Sequence, residues 1–206
     1  MNGKIFNESS YCTRTALYTP EEYLDLEATA EFRSEYDNGV ITTTTGGTTN
    51  HHRICRNLCT ALAIGLQGQN FEVFISDVKV WIPNSQKFRY PDLMVIAGEP
   101  EYSLNHKTTV TNPQVVIEVL SDSTEEFDRE DKFKLYQSIP SLQEYLLIDQ
   151  NQIAIDHFYK TQPKHWQIDQ FDDQDTEIQL RTLRGAELPV EATLLIADIY
   201  EKVQFS

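Results

Sequence analysis

Gln114-Val115-Val116-Ile117-Glu118-Val119-Leu120 is a near-continuous apolar run that contains a single carboxylate. A run of this length and composition predicts a strand that is buried on both of its faces. An unpaired charge in a dry protein interior costs several kcal/mol, on the order of 5. Glu118 therefore needs a cation, a metal ion or a bound proton, and it is the first candidate for a functional residue.

A second acid opens the preceding apolar segment, Arg89-Tyr90-Pro91-Asp92-Leu93-Met94-Val95-Ile96. Asp92 and Glu118 are 26 positions apart, which corresponds to one strand, one loop and another strand. The two acids are therefore expected to meet on adjacent strands. Carboxylates in this arrangement are typical ligands of a hard divalent cation such as Mg²⁺.

Helix and strand patterns alternate around these two strands. Thr19-Pro20-Glu21-Glu22 predicts a helix start, and a second helix is expected from His51 to Gln67. Residues 71–82 predict a strand with a bulge or bend near Ser76, because the apolar positions change from odd to even. The fold class is therefore expected to be α/β, with a central mixed β-sheet flanked by helices.

The chain after Glu118 predicts a crossover helix. Ser123-Thr124-Glu125-Glu126 is a capping-box pattern, and the helix is expected to continue to Ser138. A strand over 144–149 should then lie parallel to the Glu118 strand, and 153–160 with 166–171 should form a hairpin followed by a solvated acidic loop, 169–177. The inward face of the helix comprises Lys132, Leu135, Tyr136 and Ile139. Lys132 should therefore reach the two acids, whereas Lys134 should point to water.

Two acids and an inward lysine are suited to metal-assisted hydrolysis of a phosphodiester. Asp92, Glu118 and the backbone carbonyl of Val119 are the predicted metal ligands, for Mg²⁺ or for Mn²⁺ in its place. The metal would lower the pKa of a bound water and neutralise charge on the phosphate. Lys132 would orient that water or stabilise the phosphate oxygens.

Three motifs carry a resemblance to a known family. They are Tyr90-Pro91-Asp92, Ile117-Glu118-Val119-Leu120-Ser121 and Asp128-Arg129-Glu130-Asp131-Lys132-Phe133-Lys134-Leu135-Tyr136. Together they resemble the Uma-type restriction endonuclease family, within the PD-(D/E)xK nuclease superfamily. The similarity runs from about Tyr18 to Glu201 and includes residues 144–149 and 187–189. It implies a restriction-endonuclease-like core, a Mg²⁺ site and DNA as the substrate.

One position departs from the superfamily pattern. The lysine that usually stands two residues after the glutamate is Leu120 here, and the family resembled carries it on the next helix, at a position that matches Lys132. The resemblance also implies an acid before an Asn-Gly turn, which matches Glu35. Glu35 would complete the acidic cluster around the metal or a water.

Substrate contacts are expected from His51, Arg129 and Tyr136. His51 begins a helix after a Thr/Gly loop, where backbone N–H groups attract phosphate, and the family resembled usually has a histidine here. Tyr136 is expected in the core, with its hydroxyl near the site. Arg129 would belong to a phosphate-facing patch with Arg53, Arg56, Lys79, Lys87 and Arg89, although a mixed solvated surface explains the same residues equally well.

Structural roles compete with each catalytic one. Glu118 and Lys132 would also satisfy each other as a buried ion pair, Asp92 would cap a turn after Pro91, Lys132 would reach solvent past its neighbours, and Glu35 would be a surface acid. His51, Cys55 and Cys59 stand at i, i+4 and i+8, a spacing that suits zinc. Core packing of the two cysteines is the favoured interpretation, because leucines share their face.

Composition limits the remaining choices. The 206 residues carry a formal net charge of −15, and positions 53–134 hold 9 basic and 12 acidic side chains, which argues against a general electrostatic grip on nucleic acid. Three cysteines and no long apolar stretch favour a reduced, cytoplasmic protein that does not enter the membrane. Residues 1–17 are expected to be a flexible arm, and 18–206 one nuclease domain.

Three functions fit these features. The first is a Mg²⁺-dependent endonuclease that acts on DNA, with a homodimer suggested by analogy with other nucleases of this fold. The second is a catalytically inactive nuclease fold that binds DNA or protein, which the net charge favours. The third is a metal phosphoesterase for a small nucleotide, which a closed pocket would favour.

Overall fold

Two β-sheets and a two-stranded hairpin form the framework of the chain. The computed structural model describes residues 17–44, 46–103, 106–120, 131–181 and 191–205. The first sheet has the spatial order β2 (Val40–Thr43), β1 (Ser34–Asp37), β5 (Lys87–Arg89), β4 (Lys79–Ile82), β7 (Thr109–Val110). The second has the order β11 (His165–Phe171), β10 (Ile155–Gln162), β9 (Glu144–Asp149), β8 (Val115–Leu120), β6 (Leu93–Ala97), β3 (Phe71–Ile75). The hairpin pairs β12 (Glu177–Arg181) with β13 (Glu191–Leu195).

Helices pack against this framework, and the first two begin at capping residues that the sequence shows. The described α-helices are α1 (Pro20–Glu27), α2 (Thr49–Gly65), α3 (Phe133–Tyr136) and α4 (Ile196–Ile199), and a 3-10 helix spans Pro83–Ser85. The predicted start of α1 is confirmed, because the Thr19 side chain accepts from the Glu22 amide and the Glu22 carboxylate accepts from the Thr19 amide. Thr48 caps α2 by accepting from the amide of His51. The capping-box motif at 123–126 and residues 1–16 of the predicted arm lie outside the described residues.

Strand β8 lies inside the six-stranded sheet, and every one of its residues is buried. It pairs antiparallel with β6 and parallel with β9, so the predicted mixed sheet and the predicted parallel pair are both confirmed. Residues 121–130 of the expected crossover helix lie outside the described residues, and its described part ends at Tyr136. Val115, Ile117 and Val119 belong to the core under α2, whereas Val116 and Leu120 belong to the core under α3. By alternation, Glu118 lies on the α3 side of the sheet.

The expected strand over 71–82 is two strands in different sheets. β3 pairs with β6 in the second sheet, while β4 pairs with β5 and β7 in the first. Ser76 lies between them with a φ of 52°, and its amide donates to the carbonyl of Asp92. The change from odd to even apolar positions therefore marks a transfer between sheets, and the backbone at the start of β6 holds the turn.

The C-terminal hairpin is a feature that the sequence did not predict. β11 extends to Phe171 and β12 begins at Glu177, so the expected acidic loop is shorter than 169–177. Ile178, Leu180 and Leu194 are buried in the core that α2 covers. Gly65 allows a close approach, because a Cβ there would lie 3.1 Å from the Cβ of Ala192. The hairpin thus holds α2, which carries His51, against the sheet.

Candidate functional site

Asp92 and Glu118 come from neighbouring strands of the six-stranded sheet. Leu93 pairs with Ile117 and Met94 with Val116, and Asp92 immediately precedes the paired residues of β6. The predicted adjacency of the two strands is confirmed, while the meeting of the two carboxylates and their catalytic roles stay predictions.

The Asp92 carboxylate contacts both strand β8 and helix α2. Its Oδ2 accepts a hydrogen bond of 2.8 Å from the backbone amide of Val119, one residue beyond Glu118. The same oxygen lies 3.1 Å from Nε2 of His51, in the first turn of α2. Asp92 therefore fixes the end of β8 and contacts the histidine that the resemblance placed near substrate. The role of the Val119 backbone carbonyl as a metal ligand stays a prediction.

Glu118 has a partner at each of its oxygens. Oε2 lies 3.3 Å from Nζ of Lys132, and Oε1 accepts a hydrogen bond of 2.8 Å from the Tyr136 hydroxyl. The Glu118 and Lys132 side chains are 4% and 12% exposed, whereas Lys134 is 61% exposed. The predicted inward direction of Lys132 and the outward direction of Lys134 are both confirmed.

Tyr136 is a protonated donor at this site. Burial raises its pKa well above the ordinary value, and the charges of Glu118 and Glu35 raise it further. The hydroxyl consequently stays protonated at any physiological pH and donates a hydrogen bond to Glu118. A phenol held in this way positions the carboxylate and has no basic role of its own.

Glu35 lies on β1 within electrostatic reach of the other acids. It pairs with Thr42 in the β1–β2 hairpin, and its charge contributes to the raised pKa of Tyr136. One carboxylate oxygen is 3.4 Å from Nε of Arg89, in an ion pair that is too poorly aligned to be a hydrogen bond. The Glu35 side chain is 25% exposed, and its place in the acidic cluster stays a prediction.

Two cations of the predicted phosphate-facing patch, Arg89 and Lys79, are buried instead. Arg89 is buried and donates from Nη1 to the carbonyls of Tyr36 and Phe88. Lys79 is also buried, and its Nζ donates to the Tyr90 hydroxyl. These cations hold the first sheet together, because strand positions that alternate with apolar residues carry them inward. Arg129 lies outside the described residues.

Two further residues join the segment before Asp92 to the first sheet. The Tyr90 hydroxyl donates to Oε1 of Glu27 at 2.7 Å, and the same oxygen accepts from the Ser34 amide at 2.9 Å. Glu27 ends α1 and Ser34 begins β1, the strand of Glu35. Sequence reasoning missed Glu27, because one acid at a helix end has no pattern that distinguishes it from a surface residue.

The cysteines of α2 pack partly as expected. Cys55 and Cys59 are both free thiols of intermediate exposure that contact the core under α2. Cys55 also lies 3.6 Å from Nδ1 of His51. Burial raises the pKa of the Cys55 thiol, and the charges of Asp92 and Glu118 raise it further. Cys55 thus belongs to the surroundings of the two acids as well as to the core.

A family model covers most of the chain that builds this site. The model of Uma2, described as "Putative restriction endonuclease", matches residues 20–191. The chain belongs to the Uma2 family. The resemblance inferred from the Asp92, Glu118 and Lys132 motifs is thereby confirmed.

Two curated relatives come from Synechocystis sp. (strain ATCC 27184 / PCC 6803 / Kazusa). The uncharacterized protein sll1609 is 38% identical over 170 residues, which cover 82% of this chain and 96% of the relative. The uncharacterized protein slr1290 is 38% identical over 152 residues, which cover 73% of this chain and 78% of the relative. These Uma2 relatives are comparable in extent to the present chain.

A solved structure supports the fold of this Uma2 chain. It is described as a putative nuclease belonging to DUF820 from Anabaena variabilis ATCC 29413, and it superposes with a TM-score of 0.66 at 17% sequence identity. The match covers 91% of this chain and 99% of the other. The fold is therefore restriction-endonuclease-like, as predicted. No helix among the described residues has the length and apolar character needed to cross a bilayer.

Replacement of Tyr136 tests the positioning role of its hydroxyl in this Uma2 site. Tyr136→Phe removes the donor to Glu118 while keeping the buried ring. Because hydrogen bonds to charged groups contribute about 1.5–3 kcal/mol, we expect the free energy of unfolding to fall by that amount in urea denaturation. Tyr159→Phe is the control, since that hydroxyl donates to the neutral side chain of Gln167 at an exposed position. Equal stability losses in the two variants would contradict the prediction.

Proposed function

We propose that this chain is a Mg²⁺-dependent endonuclease that hydrolyses phosphodiester bonds in DNA. The observation that carries the proposal is that Asp92 accepts from the amide of Val119, the residue next to Glu118, while Lys132 contacts Glu118. Membership in a family described as restriction endonucleases and the nuclease-like fold support the same reaction class. These charged side chains lie largely in the interior, where retaining charges that have no function is energetically unfavourable.

The donor set fits a hard divalent cation. Glu118 and Glu35 both raise the pKa of Tyr136, and Glu118 and Asp92 both raise that of Cys55, so negative charge accumulates in one region. Oxygen ligands of this kind suit Mg²⁺ or Mn²⁺. Asp92, Glu118 and the carbonyl of Val119 would hold the ion, with Glu35 bordering it. When bound, the ion supplies Lewis-acid activation of water and neutralises phosphate charge.

The other proposed site residues would orient the acids or stabilise negative charge on the phosphate. The Lys132 ammonium would release part of its contact with Glu118 and stabilise the negative oxygens of the phosphate. Tyr136 would hold Glu118 in one orientation throughout. His51 would orient Asp92, or donate to a phosphate oxygen from its place at the start of α2. Arg129 remains a proposed substrate contact on the basis of the resemblance.

The net charge of −15 bears on how such an enzyme would hold DNA. An acidic chain repels a polyanion at long range, so binding would depend on short-range contacts and on salt. A homodimer, proposed by analogy with other nucleases of this fold, would combine two weak contact surfaces. Its presence is checked by light scattering with and without a DNA duplex.

Calorimetric titration of Mn²⁺ into the metal-free protein tests the proposed ion site. We expect saturable binding to the wild type and at least tenfold weaker binding to Glu118→Gln, which keeps the shape of the side chain and removes its charge. Plasmid DNA, linear duplex and RNA are then incubated with Mg²⁺ or Mn²⁺ and each protein. Binding without cleavage of any of these substrates would contradict the endonuclease assignment.

An inactive nuclease fold is the alternative that one observation favours. The Lys132–Glu118 ion pair satisfies both charges without a metal, as a retained structural pair would. Such a module would bind DNA or protein and have no need for an ion. The absence of any Mn²⁺ binding to the wild type, both alone and with DNA present, would favour this alternative over the enzyme.

A further inference from the structure

Cys55 adds a sulfur donor beside the proposed ion site. Its Sγ lies 3.6 Å from Nδ1 of His51, while Nε2 of the same ring lies 3.1 Å from Oδ2 of Asp92. One ligand atom from each of the three residues can be chosen so that all lie within 4.8 Å of one another. His51 and Cys55 are one turn apart on α2, and Asp92 comes from the start of β6. Two secondary-structure elements, one helix and the start of one strand, therefore supply all three donor residues.

Nitrogen, sulfur and oxygen donors together suit a different class of ion from Mg²⁺. Zn²⁺ and its relatives Cd²⁺ and Co²⁺ accept such mixed sets, with bonds of about 2.0–2.3 Å and a fourth position open to water. Neighbouring ligand atoms around a tetrahedral ion of that size are roughly 3.3–3.6 Å apart. Because one ring nitrogen of His51 would bind the ion, only one of its two contacts can be compared with these separations: 3.6 Å from Nδ1 to Cys55 or 3.1 Å from Nε2 to Asp92. A modest rotation of the ring would bring one nitrogen to the ion.

The same three residues also form the line thiol, imidazole and carboxylate that nucleophilic cysteines use. Here the surroundings of Cys55 disfavour a role as a nucleophile. Burial and the charges of Asp92 and Glu118 raise the pKa of Cys55, whereas a reactive cysteine needs its pKa lowered by positive charge. A divalent cation among the three donors would supply the positive charge that this region lacks, which favours a metal over covalent chemistry.

We propose that His51, Cys55 and Asp92 form a site for a thiophilic divalent cation of the zinc group. The site shares Asp92 with the proposed Mg²⁺ site, so each ion would exclude the other from that carboxylate. Zinc-group ions would therefore inhibit the nuclease by occupying the neighbouring position. This inhibitory consequence rests on the proposed function, whereas the existence of the soft-metal site does not.

Titration with Cd²⁺ tests the site directly, because a cadmium–thiolate bond absorbs in the ultraviolet. The test uses a variant of the 206-residue chain in which Cys12→Ser and Cys59→Ala leave Cys55 as the one thiol. We expect a saturable absorbance that is lost in the additional variant Cys55→Ala and retained in Glu118→Gln. Absence of the band, or its persistence without Cys55, would overturn the proposal.

Mn²⁺ calorimetry on the same variants separates the two sites. We expect Cys55→Ala to keep Mn²⁺ binding and Glu118→Gln to bind Mn²⁺ at least tenfold more weakly, with Mn²⁺ lowering the apparent Cd²⁺ affinity at least tenfold. Cd²⁺ binding that is indifferent to saturating Mn²⁺ would overturn the shared use of Asp92. Cd²⁺ binding in a wild type that binds no Mn²⁺ would support the soft-metal site and count against the proposed nuclease.

Two adjacent glycines provide a matched pair that leaves all three ligands in place. A Cβ at Gly47 would lie 2.7 Å from Nδ1 and 2.8 Å from Cγ of His51, so Gly47→Ala must displace the ring. A Cβ at Gly46 would meet nothing within 4 Å. We expect Gly47→Ala to weaken Cd²⁺ binding about tenfold or more and Gly46→Ala to match its parent. Equal affinities in the two variants would overturn the assignment of His51 as a ligand.

Discussion

Glu118→Ala is expected to abolish measurable cleavage and also to destabilise the fold. If the acid supports several kcal/mol of transition-state stabilisation through its ion, the rate should fall on the order of 10³-fold. The substitution also removes the carboxylate that Lys132 and Tyr136 contact in the interior. Removal of one member of a buried ion pair typically costs about 3–5 kcal/mol. Urea denaturation in the presence of EDTA measures that loss without any contribution from metal.

Glu118→Gln separates the two effects. The amide keeps an oxygen that can accept from Tyr136, so its unfolding free energy should lie between those of the wild type and Glu118→Ala. Its cleavage rate should nevertheless be as low as that of Glu118→Ala, because the charge that would hold the ion is gone. A fully active Glu118→Gln protein would exclude Glu118 as a metal ligand.

Lys132→Met is expected to reduce turnover on the order of 10²–10³-fold while leaving Mn²⁺ affinity unchanged or higher. Methionine preserves the apolar length of the side chain, which is 12% exposed, and removes the ammonium beside Glu118. Loss of a cation leaves the acids more negative, which favours an incoming divalent ion. Single-turnover cleavage and Mn²⁺ calorimetry on the same preparation measure the two quantities.

Lys134→Met is the matched control for this prediction. Lys134 is two residues away, 61% exposed, and 3.6 Å from Asp131 in a surface ion pair. Exposed pairs of this kind contribute about 0–1 kcal/mol, so both turnover and stability should stay near the wild-type values. If the two lysine variants lost activity equally, the effect would reflect total charge, and Lys132 would return to a structural role.

The strands and the acids were predictable because their signals are local. A buried strand with one carboxylate is conspicuous in a run such as 114–120, and helical spacing alone assigns Lys132 and Lys134 to different faces. The capping residues of α1 follow from the same kind of local chemistry. These features are fixed by the immediate neighbours of each residue, and the sequence displays those neighbours.

The partners of each acid were not predictable, because they depend on how distant segments pack. Asp92 finds the Val119 amide and His51 only after β6 pairs with β8 and α2 covers the sheet. Arg89 looked like a surface cation, yet it is buried with backbone carbonyls as acceptors. Without these contacts, the sequence presents two repelling carboxylates. With them, each acid is held by donors, and its removal is costly.

The hydrogen bond from the Val119 amide to Asp92 means that this backbone amide should report whether the proposed ion site is occupied. Oδ2 of Asp92 already serves two neighbours, so an ion that draws on this oxygen competes with the amide for its lone pairs. Solvent exchange of that single proton should then change when the site fills, ahead of any movement in the strands. Deuterium uptake at Val119 would consequently follow metal binding without any need for a substrate.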